Sequence, residues 1–121
     1  TGADGSVRVS FGDSRVRGFG APIRVDDGSP EGRGDLAFLP DGSLLVGWME
    51  HEPAQSSWRV RRVAPGGELG PSLLVAHVSS ERSSGFMRMT SDADGVLLAY
   101  TETGPPRRVV VQRVMALAST R

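Results

Sequence analysis

Apolar residues along this chain come in short runs and alternations, and not at helical spacing. Residues 6–11 and 58–63 alternate apolar with polar side chains, which is typical of half-buried strands, whereas residues 43–49 form the continuous apolar run of a strand buried on both faces. Turn residues bound each run, and Asp41-Gly42 between two apolar runs predicts a hairpin. The pattern therefore predicts an all-β fold. The predicted strands are residues 6–11, 22–25, 35–39, 43–49, 58–63, 72–78, 86–90, 96–101 and 108–115.

The second half of the chain repeats the first at a spacing near 52 residues. Positions within the predicted strands match, while the predicted loops differ in length, as expected for a structural repeat. The matching segments are Asp41-Gly42 and Leu44-Leu45 with Asp94-Gly95 and Leu97-Leu98, Glu50 with Glu102, residues 60–63 with residues 111–114, and Gly20 and Val25 with Gly70 and Val75.

Each repeat contains four predicted strands, so the chain holds the end of one unit, a complete unit and most of a third. The units are residues 7–34, 35–78 and 86–115. A repeated antiparallel unit of four strands is typical of a β-propeller blade, and we expect the whole chain to form one partial propeller of about two blades. A β-sandwich is the alternative, but a sandwich does not require one half of the chain to repeat the other.

Two stretches of the sequence are similar to the blades of a known family. The run from Pro40 to Glu50, followed by a strand, a Pro-Gly-Gly turn and residues 69–75, resembles sialidase-like (BNR, Asp-box) repeat propellers. Residues 94–102 repeat the likeness, and residues 19–22 resemble the end of an Asp-box turn, although no full Ser-x-Asp-x-Gly-x-Thr-Trp box is present. The resemblance implies a ring of about four to eight blades, so we expect further blades of the same or another chain as partners.

The resemblance also implies where a ligand binds. It places ligands on the face formed by the loops at residues 26–34, 50–57, 79–85 and 101–107. Glutamate follows the second strand of each unit as it does in sialidases, but the arginine triad that binds a substrate carboxylate in that family is not assembled from this chain. The candidate ligand-binding residues are Glu50, His51, Glu52, Trp58, Glu102 and Arg88.

Each of these candidates has a structural alternative. The run Glu50-His51-Glu52 offers an acid/base pair or part of a metal site, and its alternative is a solvated loop. Trp58 offers an aromatic face for a sugar, and its alternative is packing against arginine side chains. Asp26 and Asp27 could offer oxygens to a metal ion, but the interpretation as a turn whose carboxylates cap backbone N–H groups is favoured, and we expect neither a metal nor a cofactor.

Composition excludes several classes of protein. The chain has no Cys, which excludes a disulfide scaffold and a thiolate metal site. Its 14 basic residues, all of them Arg, balance 14 acidic ones, which argues against binding to nucleic acid by bulk charge. No apolar run approaches the roughly 20 residues of a membrane span. The resemblance implies an extracellular or periplasmic location, because blades of this family are often secreted.

These observations together predict a non-catalytic module for recognition or scaffolding, with a glycan as a candidate ligand. The first alternative is a fragment of a sialidase-like glycoside hydrolase whose catalytic residues lie largely outside these residues. The second is a lectin-like subunit that closes a propeller by oligomerising.

Overall fold

The protein is all-β, as predicted. The computed structural model describes residues 5–13, 18–79, 85–102 and 106–115, and these ranges contain only strands, turns and irregular segments. No helix in this part of the chain is long and apolar enough to span a membrane. The strands are β1 (Arg8–Val9), β2 (Gly12–Asp13), β3 (Gly18–Phe19), β4 (Ile23–Arg24), β5 (Pro30–Phe38), β6 (Leu44–His51), β7 (Ser56–Val63), β8 (Leu73–Val78), β9 (Arg88–Asp92), β10 (Gly95–Glu102) and β11 (Arg108–Met115).

The strands form three antiparallel layers that follow the order of the chain. Strands β1 and β4 pair, as do β2 and β3, and together they form the N-terminal ribbon. Strands β5-β6-β7-β8 form the four-stranded sheet, and β9-β10-β11 form the three-stranded sheet with β10 in the middle. In the two larger sheets, every neighbour within the sheet is also a neighbour in sequence, which is the meander that short turns favour, whereas the β1–β4 pair of the ribbon encloses β2 and β3.

The four-stranded sheet packs against another layer on each face, and its strand β6 is buried on both sides. One face packs against the three-stranded sheet, and the other packs against the ribbon. Alternation along β6 explains this, because Leu45 and Met49 contribute to the first core while Leu44 and Val46 contribute to the second. The prediction that residues 43–49 form a strand buried on both faces is therefore confirmed. The first core contains Ala37, Leu39, Leu45, Met49, Trp58, Val60, Val78, Met87, Val96, Leu98 and Tyr100, and the second contains Val9, Val25, Leu44, Val46 and Val63.

The two larger sheets share one pairing register. Glu50 lies opposite Ser57 in the four-stranded sheet, and Glu102, 52 residues later, lies opposite Arg108 in the three-stranded sheet. Residues 44–50 of β6 match residues 96–102 of β10 in the same way. The sequence repeat therefore corresponds to a repeat of backbone geometry.

One part of the sequence repeat is wrong by a residue. The matching leucine pairs suggest a spacing of 53 residues, but burial makes Val96, and not Leu97, the equivalent of Leu44, because each of these two residues faces the layer that precedes its own sheet. The turns cause the difference. The Asp41-Gly42 turn closes with the bond from Leu39 N–H to the Ser43 carbonyl, whereas the second turn closes one residue sooner, between Asp92 and Gly95. A one-residue slip reverses the face of every side chain, so the buried alternation decides the register.

The ribbon repeats the outer half of the four-stranded sheet. Val9 pairs with Ile23 as Val60 pairs with Leu73. The Gly20 N–H donates to the Phe11 carbonyl, and the Gly70 N–H donates to the Arg62 carbonyl, with both N···O distances at 2.8 Å. The three layers thus carry equivalent strand pairs. The division into units at residues 7–34, 35–78 and 86–115, and their arrangement as a propeller, stay predictions.

Strand β5 begins earlier than the sequence indicated. Residues 26–34 were expected to form a loop, but β5 starts at Pro30 and pairs with β6 across two bulges, at Pro30/Gly32 and Gly32/Asp35. Gly32 and Arg33 have positive φ values of 73° and 53°. A Cβ at Gly34 would lie 2.5 Å from the Gly47 carbonyl oxygen, so glycine is required there. A glycine-rich polar sequence conceals a bulged strand because bulges need the same residues as loops.

Candidate functional site

Glu50 is a buried structural residue at the end of β6. It is 5% exposed, and its carboxylate accepts hydrogen bonds from the Trp48 indole N–H, at 2.6 Å, and from the backbone N–H groups of Asp27 and Ser29. The His51 N–H, next along β6, donates to the Ser29 carbonyl at 2.8 Å. These bonds join the segment before β5 to the end of β6, so Glu50 holds this segment in place.

The side chains of the next two residues, His51 and Glu52, contact different partners. The His51 imidazole is 62% exposed, and its Nδ1 lies 3.7 Å from a carboxylate oxygen of Glu31, which also accepts a hydrogen bond from the Ser56 hydroxyl. Glu52 lies 3.6 Å from Nη2 of Arg59 and 3.6 Å from Nδ1 of His77. The three consecutive residues Glu50, His51 and Glu52 therefore do not converge on one point.

The surroundings of Glu52 favour its charged form. The pKa of the Glu52 carboxyl lies below its ordinary value, chiefly because of the neighbouring Ser57 side chain, and the nearby His77 and Arg59 side chains lower it further against the opposing effect of burial. We name the set Glu31, His51, Glu52, Arg59 and His77 the loop cluster. Its polar groups lie at the end of the four-stranded sheet where the β6–β7 turn meets the N-terminal part of β5 and the C-terminal part of β8.

Asp26 is fully engaged with donors of its own chain. Its buried carboxylate accepts hydrogen bonds from the Arg24 guanidinium, at 2.9 to 3.1 Å, and from the Val7 and Gly28 N–H groups, each at 2.8 Å. Burial by itself would raise the pKa of Asp26, but these hydrogen bonds outweigh it and lower the pKa below its ordinary value. The interpretation of Asp26 as a capping residue of a turn is confirmed.

Asp27 binds side chains of the neighbouring strands. Its carboxylate accepts a hydrogen bond from the Ser72 hydroxyl at 2.6 Å and lies 3.2 Å from Nη2 of Arg61 and 3.8 Å from Nε of Arg59. Arg61 also donates to the Val25 carbonyl and lies over the Trp48 ring, 5.9 Å from its centroid. These bonds occupy the oxygens that a metal ion would need, and in the described ranges no group of three or more His, Asp or Glu side chains could hold a metal.

The tryptophans are core residues. Trp58 and Trp48 are both 0% exposed. Trp58 lies in the core between the two larger sheets, so its face is not available at the surface to stack on a sugar. Trp58 does not pack as the sequence suggested, because strand alternation turns it away from the flanking arginines of β7. Those arginines, Arg59 and Arg61, lie on the same face of the sheet as Trp48.

The two remaining candidates lie on the three-stranded sheet. The Glu102 carboxylate is 37% exposed and accepts a hydrogen bond from Nε of Arg108 at 2.6 Å. Arg88 is exposed on β9, opposite Ala99. Most of the predicted ligand loop 79–85 and residues 103–105 of the loop 101–107 lie outside the described residues.

Sequence reasoning missed three members of the loop cluster. Glu31, Arg59 and His77 are not among the candidate residues that the sequence pattern indicates. Arg59 on β7 and His77 on β8 come near Glu52 through the pairing of these two strands, in which His77 lies opposite Ser57, and no sequence signal indicates this contact. Searches of family models, curated proteins and solved structures gave no match to this chain, so the resemblance to sialidase-like propellers stays a prediction.

Proposed function

We propose that this chain is a non-catalytic module for recognition or scaffolding, and that the loop cluster is its ligand-binding surface, with a glycan as the ligand. The observation that carries the proposal is that every candidate carboxylate already binds donor groups of this chain. These carboxylates are those of Glu50, Asp26, Asp27, Glu52 and Glu102.

This arrangement is unsuited to acid catalysis. A general acid must reach the substrate and hold a proton near the working pH. The oxygens of Glu50 face backbone and indole N–H groups, and the side chain is buried. The pKa values of Asp26 and Glu52 are lowered, so both are deprotonated at neutral pH and have no proton to donate. These carboxylates stabilise the loops through hydrogen bonds and ion pairs within the chain, and they are not positioned as proton donors to a substrate.

The layered sheets support a scaffolding role. Equivalent strand pairs recur in three layers, and each layer buries a face against its neighbour. Stability in such a stack comes from contacts between adjacent layers, which leaves the loops free to vary. The repeated part of the fold is therefore a rigid support for the residues at its end.

The loop cluster has the polar groups that sugar recognition uses. The exposed imidazoles of His51 and His77 and the carboxylates of Glu31 and Glu52 present both donors and acceptors on one end of a rigid sheet. Polar groups fixed on strands orient a hydroxyl-rich ligand at low entropic cost. A glycan fits this surface better than a strongly charged ligand, because acidic and basic groups alternate across it.

The test combines a glycan array with assays of hydrolysis of fluorogenic glycosides, including a sialoside. We expect binding to at least one glycan class and no turnover above buffer. The double variant His51→Ala/His77→Ala should lose binding, while Arg62→Gln, which changes the ion pair with Asp41 at the opposite end of the sheet, should retain it. Hydrolysis of a glycoside that is abolished by Glu50→Gln would support the glycosidase alternative. A folded sample that binds no glycan would contradict the proposal that the ligand is a glycan.

A further inference from the structure

The outer edge of β11 differs from its equivalents in the rest of the fold. β11 pairs with β10 over all eight of its residues and forms the edge of the three-stranded sheet. In the described part of the chain, no strand pairs with its other side. Long edge strands of this kind are templates for pairing with another strand.

Two other strands of this chain, β7 and β1, are equivalent to β11, and a further strand pairs with the same edge of each of them. β7, which matches β11 in its pairing with the central strand, is covered on the same edge by β8. β1 is covered by β4 in the same register. In both cases the covering strand runs antiparallel, and the N–H of a glycine three residues before that strand donates, at 2.8 Å, to a carbonyl in the covered strand or just after it.

The side chains of β11 also lack the cover that their equivalents have. Val109 and Val111 are 68% and 63% exposed, whereas the equivalent residues Trp58 and Val60 are buried in the core between the sheets. Those equivalents are covered by the adjacent sheet, so the exposed valines mark an uncovered outer face that adjoins the open edge. A strand that pairs with β11 would have these valines as apolar cross-strand neighbours on that face.

We infer that the outer edge of β11 is a docking site for an extended antiparallel strand that begins with glycine and carries aliphatic residues in the pattern of β4 and β8. The inference deepens the scaffolding half of the proposed function and rests on it, because capturing a strand is how a sheet edge holds a partner. Its site is separate from the loop cluster, so failure here leaves the glycan result unchanged.

The equivalent pairs define the register of the incoming strand. The glycine N–H donates to the Arg113 carbonyl, as Gly70 donates to Arg62 and Gly20 to Phe11. The residue three positions after the glycine lies opposite Val111, because Leu73 lies opposite Val60. That residue is Ile or Leu in the two internal examples, and a valine follows two positions later in both.

A second copy of β11 fits this edge less well. Antiparallel pairing of two copies about Val111 would place Arg113 of each beside the Val109 side chain of the other. Arg113 already binds Asp92 at 2.8 Å, and moving it against an apolar row would weaken that ion pair. The aliphatic strand therefore suits the edge better than self-pairing.

The experiment uses the intact chain and a synthetic peptide with the sequence of residues 69–79. Hydrogen exchange of backbone amides is measured with and without peptide, and the control peptide carries Leu74→Pro and Ala76→Pro, because proline removes the N–H that a ladder needs. At a peptide concentration about ten times its dissociation constant, we expect exchange in β11 to slow by about tenfold. The control peptide should have no effect.

Other outcomes overturn the inference. Protection confined to β7 would mean that the peptide exchanges with β8, and no protection at millimolar peptide would mean that β11 does not accept a strand. A dimer detected by light scattering, with β11 already protected, would assign the edge to a second copy. As an independent measurement, residues 64–79 appended after Arg121 should raise Tm above that of the same fusion with both prolines, and equal Tm values would count against the site.

Discussion

The four-stranded and three-stranded sheets have the same pairing register but hold equivalent residues in opposite environments. Glu50 and Glu102 occupy the same position in their ladders. Glu50 is buried under three N–H donors, whereas Glu102 is at the surface with Arg108. Trp58 and Val109 form a second equivalent pair, buried in one sheet and exposed in the other.

The difference shows that the layer beside a sheet, and not the position in the strand, decides the role of a residue. Glu50 is buried because the segment at residues 26–29, which follows the ribbon, closes over it. Trp58 is buried because the three-stranded sheet covers it. The outer face of the three-stranded sheet has no equivalent layer in the described residues, so Val109 stays exposed.

The largest expected effect compares Trp58 with Val109. Trp58→Ala should destabilise the fold by about 3–5 kcal/mol, because it opens a large cavity in the core between the sheets. Val109→Ala should change the free energy of unfolding by no more than about 0.5 kcal/mol, since the side chain is exposed. Urea unfolding followed by far-UV circular dichroism measures both.

The variant Trp58→Phe keeps this comparison testable if the Trp58→Ala protein does not fold. Trp58→Phe should cost much less than the alanine variant, because the buried Trp58 indole N–H has no hydrogen-bond partner among the described residues. A large cost for Val109→Ala would contradict the comparison, because it would mean that the outer face is covered in solution.

The second prediction compares the two glutamates. Glu50→Gln replaces a carboxylate oxygen with an amide donor that faces other donors, and an unsatisfied buried group costs about 1–3 kcal/mol. Glu102→Gln removes only an exposed ion pair, which is worth about 0–1 kcal/mol. Thermal unfolding at neutral pH should rank the variants in this order. Equal losses would show that Glu50 is not the structural residue described above.

The smallest expected effect is a pH dependence that compares Asp26 with Asp92. The pKa of Asp92 is lowered chiefly by its hydrogen bonds from Arg113, and that of Asp26 by Arg24 and two backbone N–H groups despite burial. A folded-state pKa below the unfolded value of 3.8 contributes stability that is complete well above pH 3.8 and is lost as the pH falls through the folded pKa.

We therefore expect Tm to fall with acidification below about pH 4. Asp26→Asn should reduce this pH dependence more than Asp92→Asn, because the Asp26 carboxylate is buried and the Asp92 carboxylate is 39% exposed to solvent screening. The measurement is Tm from pH 7 to pH 2.5 for the wild type and both variants. A steeper fall for Asp26→Asn than for the wild type would contradict the sign.

Some features were predictable because they depend on neighbouring residues in the chain. The alternation at residues 58–63 and the apolar run at 43–49 correspond to β7 and β6, since side chains on a strand point to opposite faces. The repeat of Glu50 as Glu102 correctly matched equivalent ladder positions. In contrast, the start of β5 at Pro30 was missed, because its bulges are specified by pairing with β6 and not by local sequence.

The candidate site shows the same division. The sequence singled out Glu50, His51 and Glu52 as one dense group, but pairing with different layers separates them. Arg59 and His77 join Glu52 only because β7 and β8 lie side by side. No spacing along the chain reports such a contact.

By itself, the sequence determined the all-β class, most of the longer strands and the match of Glu50 with Glu102, because alternation and turn chemistry act over a few residues. Only the tertiary structure decided the register offset of one residue, the burial of Glu50 and Trp58, and the composition of the loop cluster. The physical reason is that desolvation and hydrogen-bond partners come from adjacent layers, which are distant in sequence.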